Sequence, residues 1–280
     1  MKYLVHLVDA IDAAVEAGKA VLEVYGTDFG VETKADNSPL TLADMRSHEI
    51  IKARLERHGI PSISEEGRHV DWETRRDWFL MWVVDPLDGT KEFVKKNGEF
   101  TVNIALVEGQ RPVMGIVYAP VLDRLYFGST EIGAYRLDRT QDSTYFKESG
   151  GSPQERYTLL KASAVKLPTG RSGDRVYTVV GSRSHATPDL ERFVEKKREE
   201  KGEVEFIPAG SSLKICLVAE GTADVYPRLG PTMEWDTAAG QAVAECSGAK
   251  VYKHEDGSPL EYNKQDLLNP WFVVEREDSF

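Results

Sequence analysis

Two aspartates three residues apart carry the densest chemistry in this chain. Val83-Val84-Asp85-Pro86-Leu87-Asp88-Gly89-Thr90 is an apolar run that reads as a buried strand and breaks at once into a turn. Pro86 fixes its own φ at about −65° and Gly89 accepts almost any backbone angle. Asp85 and Asp88 are therefore expected at positions i and i+3 of a tight turn, whose ends approach within about 7 Å. Two carboxylates aimed at one point repel, and one takes up a proton; a divalent cation between them keeps both ionised. Hard oxygen ligands suit Mg²⁺. Taken alone, this stretch reads first as a solvated Asp-Gly turn, so the rest of the chain has to decide.

More acids stand where elements begin or end. Asp44 lies in the first turn of an expected helix from Leu42 to His58, with Thr41 as a candidate cap and Gly59 closing it. The helix dipole by itself explains a carboxylate there. Glu65 and Glu66 follow a short strand, Ile60 to Ser64, and neighbouring strand residues point to opposite faces, so one of the pair suffices for a site. Asp236 sits in Glu234-Trp235-Asp236-Thr237-Ala238-Ala239-Gly240, at the start of a helix whose next residues are small enough to let something approach closely. Each acid has a capping or solvated explanation, but all occupy strand ends and helix starts in both halves of the chain.

The elements that must position them follow from periodicity. Tyr3 to Tyr25 is an amphipathic helix interrupted by Asp9, Asp12, Glu16, Lys19 and Glu23, unlike the uncharged core of a signal peptide. Strands are expected at Phe79 to Val84, Thr101 to Val107, Val113 to Tyr118, Arg124 to Gly128 and Gly133 to Leu137. Their connections are too short for parallel crossovers, which makes an antiparallel meander. Residues 138 to 156 lack periodicity and read as an exposed loop. Beyond them the pattern alternates: strand Val176 to Val180, helix Pro188 to Glu199, strand Val204 to Ile207, helix Ser212 to Glu220, strand Ala223 to Tyr226, helix Trp235 to Cys246 and strand Lys250 to Tyr252. The expected class is α+β / α/β, with an antiparallel subdomain at 1–140, a connecting loop at 141–156 and a smaller alternating α/β subdomain at 157–280.

Composition narrows the functions. In 280 residues the formal charge is −11, which argues against a general nucleic-acid binder, because such proteins carry excess Lys and Arg for phosphates. An anionic small molecule stays open, since local cations decide what a cleft binds once distant acids are screened. No segment has the roughly 20 apolar residues of a membrane span, and cytoplasm is the default compartment. Cys216 and Cys246 lie apart with no Cys/His cluster for zinc, and are expected to be buried and reduced.

The joint pattern resembles the Mg²⁺-dependent, lithium-sensitive phosphatases of the inositol monophosphatase superfamily over nearly the whole chain. Its two signatures match without departure: Asp-Pro-x-Asp-Gly-Thr at Asp85 to Thr90 and Trp-Asp-x-Ala-Ala-Gly at Trp235 to Gly240. Lys34-x-Asp36-x-Ser38-Pro39-x-Thr41-x-x-Asp44 and the pair Glu65-Glu66 stand in the order the family uses. The second half is most similar to the 3'(2'),5'-bisphosphate nucleotidases of the CysQ type. The stretches that carry this are Gly181-Ser182-Arg183-Ser184-His185, Gly210-Ser211-Ser212-Leu213-Lys214 and Tyr226-Pro227-Arg228-x-Gly230-Pro231-Thr232.

The resemblance implies a layered α-β-α-β-α sandwich and two or three Mg²⁺ ions. It implies Glu65, Asp85 and the Leu87 carbonyl as ligands of a first metal, and Asp85, Asp88 and Asp236 as ligands of a second. Asp44 and the Thr90 hydroxyl would activate water, and the amides of Gly89 and Thr90 would hold the phosphate, with Asp236 also near the substrate. Lys214 and Arg228 would take a second phosphate, and His185 and Ser211 the ribose or further phosphate contacts; without the resemblance Lys214 reads as a solvated head on a packed stem. The implied reaction is removal of the 3'-phosphate from 3'-phosphoadenosine 5'-phosphate, giving AMP and phosphate in support of sulfate assimilation. An inositol or sugar-phosphate phosphatase with the same mechanism, and a non-catalytic Mg²⁺-dependent nucleotide-binding protein, are the alternatives. No polymer of nucleic acid and no obligate protein partner is implied, and peripheral contact with the inner face of the cell membrane is left open.

Overall fold

The computed structural model describes residues 1–27, 31–33, 39–148, 150–169, 175–182 and 187–276, with 31–33 and 39–41 described by their backbone alone. In chain order, helix α1 (Leu4–Tyr25) leads to a short antiparallel pair, β1 (Val31–Thr33) and β2 (Pro39–Thr41), and to α2 (Leu42–Leu55). The α-helix ends three residues before the expected boundary because Glu56–His58 tightens to a 3-10 turn, and Gly59, at φ 64°, closes it as expected. Next come β3 (Ser62–Ser64), α3 (Trp72–Arg75), β4 (Leu80–Asp88), α4 (Thr90–Val94), β5 (Thr101–Glu108), β6 (Arg111–Ala119), β7 (Arg124–Ser129) and β8 (Gly133–Asp138).

The segment expected to be a loop contains helices, α5 (Thr144–Lys147) and the first residues of α6 (Pro153–Ser163). Ser152 accepts from the Glu155 amide while the Glu155 carboxylate accepts from the Ser152 amide, with Pro153 at the first helical position. This capping box was present in the sequence but was outweighed by the turn-forming residues around it. After β9 (Val165–Lys166) follow β10 (Tyr177–Gly181), α7 (Pro188–Lys201), β11 (Val204–Pro208), α8 (Leu213–Glu220), β12 (Val225–Arg228), α9 (Glu234–Cys246), β13 (Lys250–Lys253) and β14 (Phe272–Glu275). Strands β9 and β14 were not expected. Each is too short to show a period, and only pairing identifies them.

Among the described residues, one sheet runs β3-β4-β5-β6-β7-β8-β9 and the other β11-β10-β12-β14-β13. The first is the expected meander from β4 to β8, with β3 added parallel to β4. Side-chain alternation along the strands sets the layers. Trp82, Val84, Ile104, Leu106, Ile116 and Tyr118 share a core with Leu7, Ile11 and Ala14 of α1 and Ile51 of α2. Met81, Val83, Ala105 and Val117 face the other way, onto Ile215 and Val218 of α8 and Ala238, Ala239 and Val243 of α9. Val180, Tyr226, Phe272 and Val274 of the second sheet close over the same helices, while Val179, Val225 and Val273 turn outward to Val194 of α7. The order is helix, sheet, helix, sheet, helix, as the resemblance implied.

Close approach between α9 and the first sheet depends on Gly115 of β6. A Cβ there would stand 2.2 Å from the Ala239 carbonyl oxygen, so any side chain would lever the helix away. The small residues after Asp236 thus meet a strand on one side, and on the other Gly240 meets Ile215 of α8. No helix among the described residues is long and apolar enough to cross a membrane.

Candidate active site

Alternation along β4 decides where the first acid points. Met81 and Val83 face α9, and Asp85, two residues on, faces the same way at 1 % exposure. Strand β3 pairs in parallel with β4, its ladder extended by the Glu65 amide donating to the Val84 carbonyl. Glu65 therefore shares the face of Ile63, which packs in the α9-side core. Asp236, in the first turn of α9, comes from the opposite wall, its Oδ2 accepting from the Met233 amide at 2.8 Å. Carboxylate oxygens of Glu65, Asp85 and Asp236 lie within 4.8 Å of one another. Glu66 is not one of this group.

Such crowding has electrostatic consequences. Burial pushes the Asp85 carboxyl well above the usual carboxylate range, and the charges of Glu65, Asp88, Asp236 and Asp44 push it further. Burial, then the Asp88 charge, raises Asp236 to about 7, against the pull of its Met233 hydrogen bond. Asp85 Oδ1 accepts from the Leu87 amide at 3.0 Å, whereas its buried Oδ2 has no hydrogen-bond partner. A buried, unpartnered oxygen within a set of hard anionic donors is what a small divalent cation satisfies. The arrangement fits a metal.

Asp88 departs from the geometry expected of it. No tight turn forms at 85–88; instead β4 continues through Asp88, with Asp85 opposite Asn103 and Asp88 opposite Thr101. Three steps on β4 face two on β5, which is a bulge, and β5 holds the segment in the ladder where turn chemistry alone would have curled it. The chain turns after Asp88, at Gly89 with φ 95°. Asp88 Oδ2 accepts from the Ser212 amide at 2.6 Å and the Ser212 hydroxyl at 2.9 Å. Its pKa is raised by burial and held back by Lys214 and Ser212. Thr90 Oγ1 lies 3.4 Å from the Leu87 carbonyl. Asp44 is 1 % exposed on α2 and close enough to contribute to the shift of Asp85. One helical turn on, Ser47 donates to the Pro86 carbonyl at 2.6 Å, tying α2 to the bulge.

Beside the acids lies a cleft of about 160 Å³ lined by Asp88, Gly89, Ser211, Lys214, Arg228 and Asp236, among others. Lys214 is not the solvated lysine that its helix position suggested. It is 6 % exposed, donates to the Ser211 carbonyl at 2.7 Å and lies 5.6 Å from the Tyr226 ring centroid. Burial lowers its pKa to about 8, opposed by Asp88 and assisted by Arg228. Arg228 donates to the Pro231 carbonyl at 2.8 Å, and its Nε has no hydrogen-bond partner. Ser211 sits at φ 44°, a left-handed angle rare for serine. His185 lies outside the described residues, as do Lys34, Asp36 and Ser38; the Thr41 side chain is likewise not described. Cys216 is buried, Cys246 half-buried, and burial raises both thiols.

Comparison with known proteins agrees with this architecture. The profile of the inositol monophosphatase family matches residues 5–276. The chain belongs to the inositol monophosphatase family. Family relatives include the 3'(2'),5'-bisphosphate nucleotidase CysQ of Shigella flexneri, 43 % identical over 266 residues that cover 93 % of this chain and 96 % of that protein. Its namesake from Escherichia coli K12 is 42 % identical with the same coverage. Among solved family structures, CysQ from Bacteroides thetaiotaomicron superposes with a TM-score of 0.87 at 47 % identity, covering 98 % of this chain and 99 % of that one. The suhB protein of Bartonella henselae, at 22 % identity and a TM-score of 0.69, shares the fold.

Sequence reasoning passed over Ser47 and Asn103 and gave no role to Ser212, named only within the 210–214 stretch and as a helix start; all three are buried polar residues around the acids. Ser47 carried a signal, lying three residues after Asp44 on the same helical face. Asn103 carried one as well, as the lone amide in the apolar run of β5.

Proposed function

We propose that the protein is a Mg²⁺-dependent phosphomonoesterase that removes the 3'-phosphate of 3'-phosphoadenosine 5'-phosphate, giving AMP and phosphate. The observation that carries this reading is the two-pole site: Glu65, Asp85 and Asp236 converge, and the small cleft beside them is lined by Lys214 and Arg228 as well as by Asp88 and Asp236. A monophosphate needs the acidic, cation-holding pole alone. A cationic pole beside it suits a substrate with a second phosphate, and the relatives named as 3'(2'),5'-bisphosphate nucleotidases support that choice.

Glu65, Asp85 and the Leu87 carbonyl would hold one ion, and Asp85, Asp88 and Asp236 another. Such ions, when bound, supply charge neutralisation at the phosphoryl oxygens and an acidified water. Asp44 would take the proton from the attacking water, and the Thr90 hydroxyl would orient it. The Gly89 and Thr90 amides would hold the phosphate being cleaved. Lys214 and Arg228, which line the same cleft, would grip the phosphate that stays, and Ser211 and His185 would contact the ribose. Water oxygen would bond to phosphorus as the bond from phosphorus to the 3'-oxygen breaks; inorganic phosphate leaves, and the 3'-oxygen takes a proton from solvent water to restore the ribose hydroxyl.

The test is phosphate release from 3'-phosphoadenosine 5'-phosphate, 3'-AMP, inositol 1-phosphate and fructose 1,6-bisphosphate, with Mg²⁺ and with chelator. The reading expects the highest kcat/KM on the first substrate and none without metal. Faster hydrolysis of inositol 1-phosphate would replace the substrate and keep the mechanism. Absence of turnover on every substrate with Mg²⁺ would leave only a binding protein.

A further inference from the structure

Ser212 lies where the acid-bearing segments meet, and its contacts exceed what a helix start requires. It is 2 % exposed and directly precedes α8. Its amide and hydroxyl both donate to Oδ2 of Asp88, and the hydroxyl also lies 2.8 Å from the Asp236 carbonyl. Asn103 Nδ2, from β5, donates to the same hydroxyl at 2.9 Å. A serine hydroxyl has one proton. With its acceptor side occupied by Asn103, that proton goes to Asp88 or to the Asp236 carbonyl, and the charged acceptor gives the stronger bond.

We propose that Ser212 is a positioning residue that makes Asp88 a one-oxygen ligand, and that this biases the site toward a small cation over a larger one. Oδ2 is held by both donors of Ser212, with Asn103 Nδ2 a longer third at 3.5 Å, so Oδ1 is the oxygen left for a metal. Mg²⁺ takes single oxygens in near-octahedral geometry, whereas Ca²⁺ takes more oxygens and accepts a carboxylate through both. Fixing one oxygen of Asp88 withholds the second from Ca²⁺. The same bonds anchor the residue after Ser211, which keeps that serine at its left-handed angle beside Lys214. The inference rests on the reading of Asp88 as a metal ligand.

The experiment is displacement of Mn²⁺ by Mg²⁺ or Ca²⁺ from the metal-free full chain, followed by electron paramagnetic resonance, for wild type, Ser212→Ala and Asp88→Asn. Outer-shell partners of metal ligands typically change affinity about 10- to 100-fold. Ser212→Ala removes the hydroxyl bond and keeps the amide bond, so Mg²⁺ affinity should fall toward the lower end of that range, about tenfold, while Ca²⁺ affinity falls less and the preference for Mg²⁺ narrows several-fold. A purely structural serine weakens both ions alike, and an unchanged ratio overturns the inference. Undiminished Mn²⁺ affinity in Asp88→Asn means instead that Asp88 is no ligand, and the reading beneath fails too. A crystal structure of the Mg²⁺-loaded wild type decides independently of any variant: Asp88 bound through one oxygen with Ser212 on the other supports the inference, and both oxygens on the ion refute it.

Discussion

Asp236→Asn should stabilise the metal-free protein at pH 8 while destroying its activity. The Asp236 carboxyl is protonated up to about 7 in the folded chain, against an ordinary 3.8. Below pH 4 it is protonated folded or unfolded and costs nothing. As pH rises the unfolded chain ionises first, so stability falls from about pH 4 to about 7 and is level above. At about 1.4 kcal/mol for each tenfold change, ionising this group in the fold costs about 4 kcal/mol. Part of that cost is repulsion shared with Asp88 and Glu65, so the expected gain on removing one charge is about 2 to 4 kcal/mol. Asparagine keeps an oxygen for the Met233 amide, so the start of α9 is preserved. For a chain of this size about 2 °C accompanies each kcal/mol, which predicts a Tm about 4 to 8 °C above wild type in chelator at pH 8. The gap should shrink by more than half at pH 5. Saturating Mg²⁺ should raise wild type more than the variant, because a ligand that binds only the folded state stabilises it according to its affinity. Scanning calorimetry at the two pH values, with chelator and with Mg²⁺, checks all three arms. A variant no more stable than wild type in chelator at pH 8, or a gap independent of pH, would refute the reasoning.

Asp85→Asn should leave the fold intact and turnover below a few per cent at saturating Mg²⁺, measured by phosphate release. Asp44→Asn and Thr90→Ala should each lower kcat strongly, and the double variant should lose about as much as one of them, because groups acting on one water are non-additive; additive losses in the cycle count against the pairing. Lys214→Met should lower kcat/KM for the bisphosphate about 10- to 100-fold, from a charge-assisted hydrogen bond of roughly 1.5 to 3 kcal/mol, and spare a substrate with only the scissile phosphate. In wild type the same preference should fade as pH rises through about 8, where Lys214 loses its charge, and a pH profile of the two kcat/KM values tests it. Gly115→Ala should destabilise by about 1 to 3 kcal/mol through overpacking and weaken Mn²⁺ binding, since the Cβ would press on the helix that carries Asp236.

The acids themselves were legible in the sequence, because a carboxylate at a strand end or helix start is a local feature. So was the order of strands and helices around them, since a period of two or 3.6 needs only neighbouring residues. Spacing alone left open which acid of Glu65 and Glu66 joins the cluster; the family resemblance named Glu65, and the parallel pairing of β3 with β4 gives the physical reason by turning it to the α9 side. The path at 85–88 was misread for a similar reason. Pro86 and Gly89 favour a turn, but pairing with Asn103 and Thr101 carries the strand to Asp88 and turns its carboxylate to Ser212, 124 residues away in sequence. Lys214 looked like a surface lysine because helical spacing cannot show that Tyr226 and Asp88 close over it. The small residues after Asp236 announced a close approach, and only the packed chain showed that Gly115 and Ile215 are what approach. Residue type and local spacing thus determined the chemistry available, whereas its directions came from contacts between segments far apart in sequence, whose strength exceeds the weak local preferences they override.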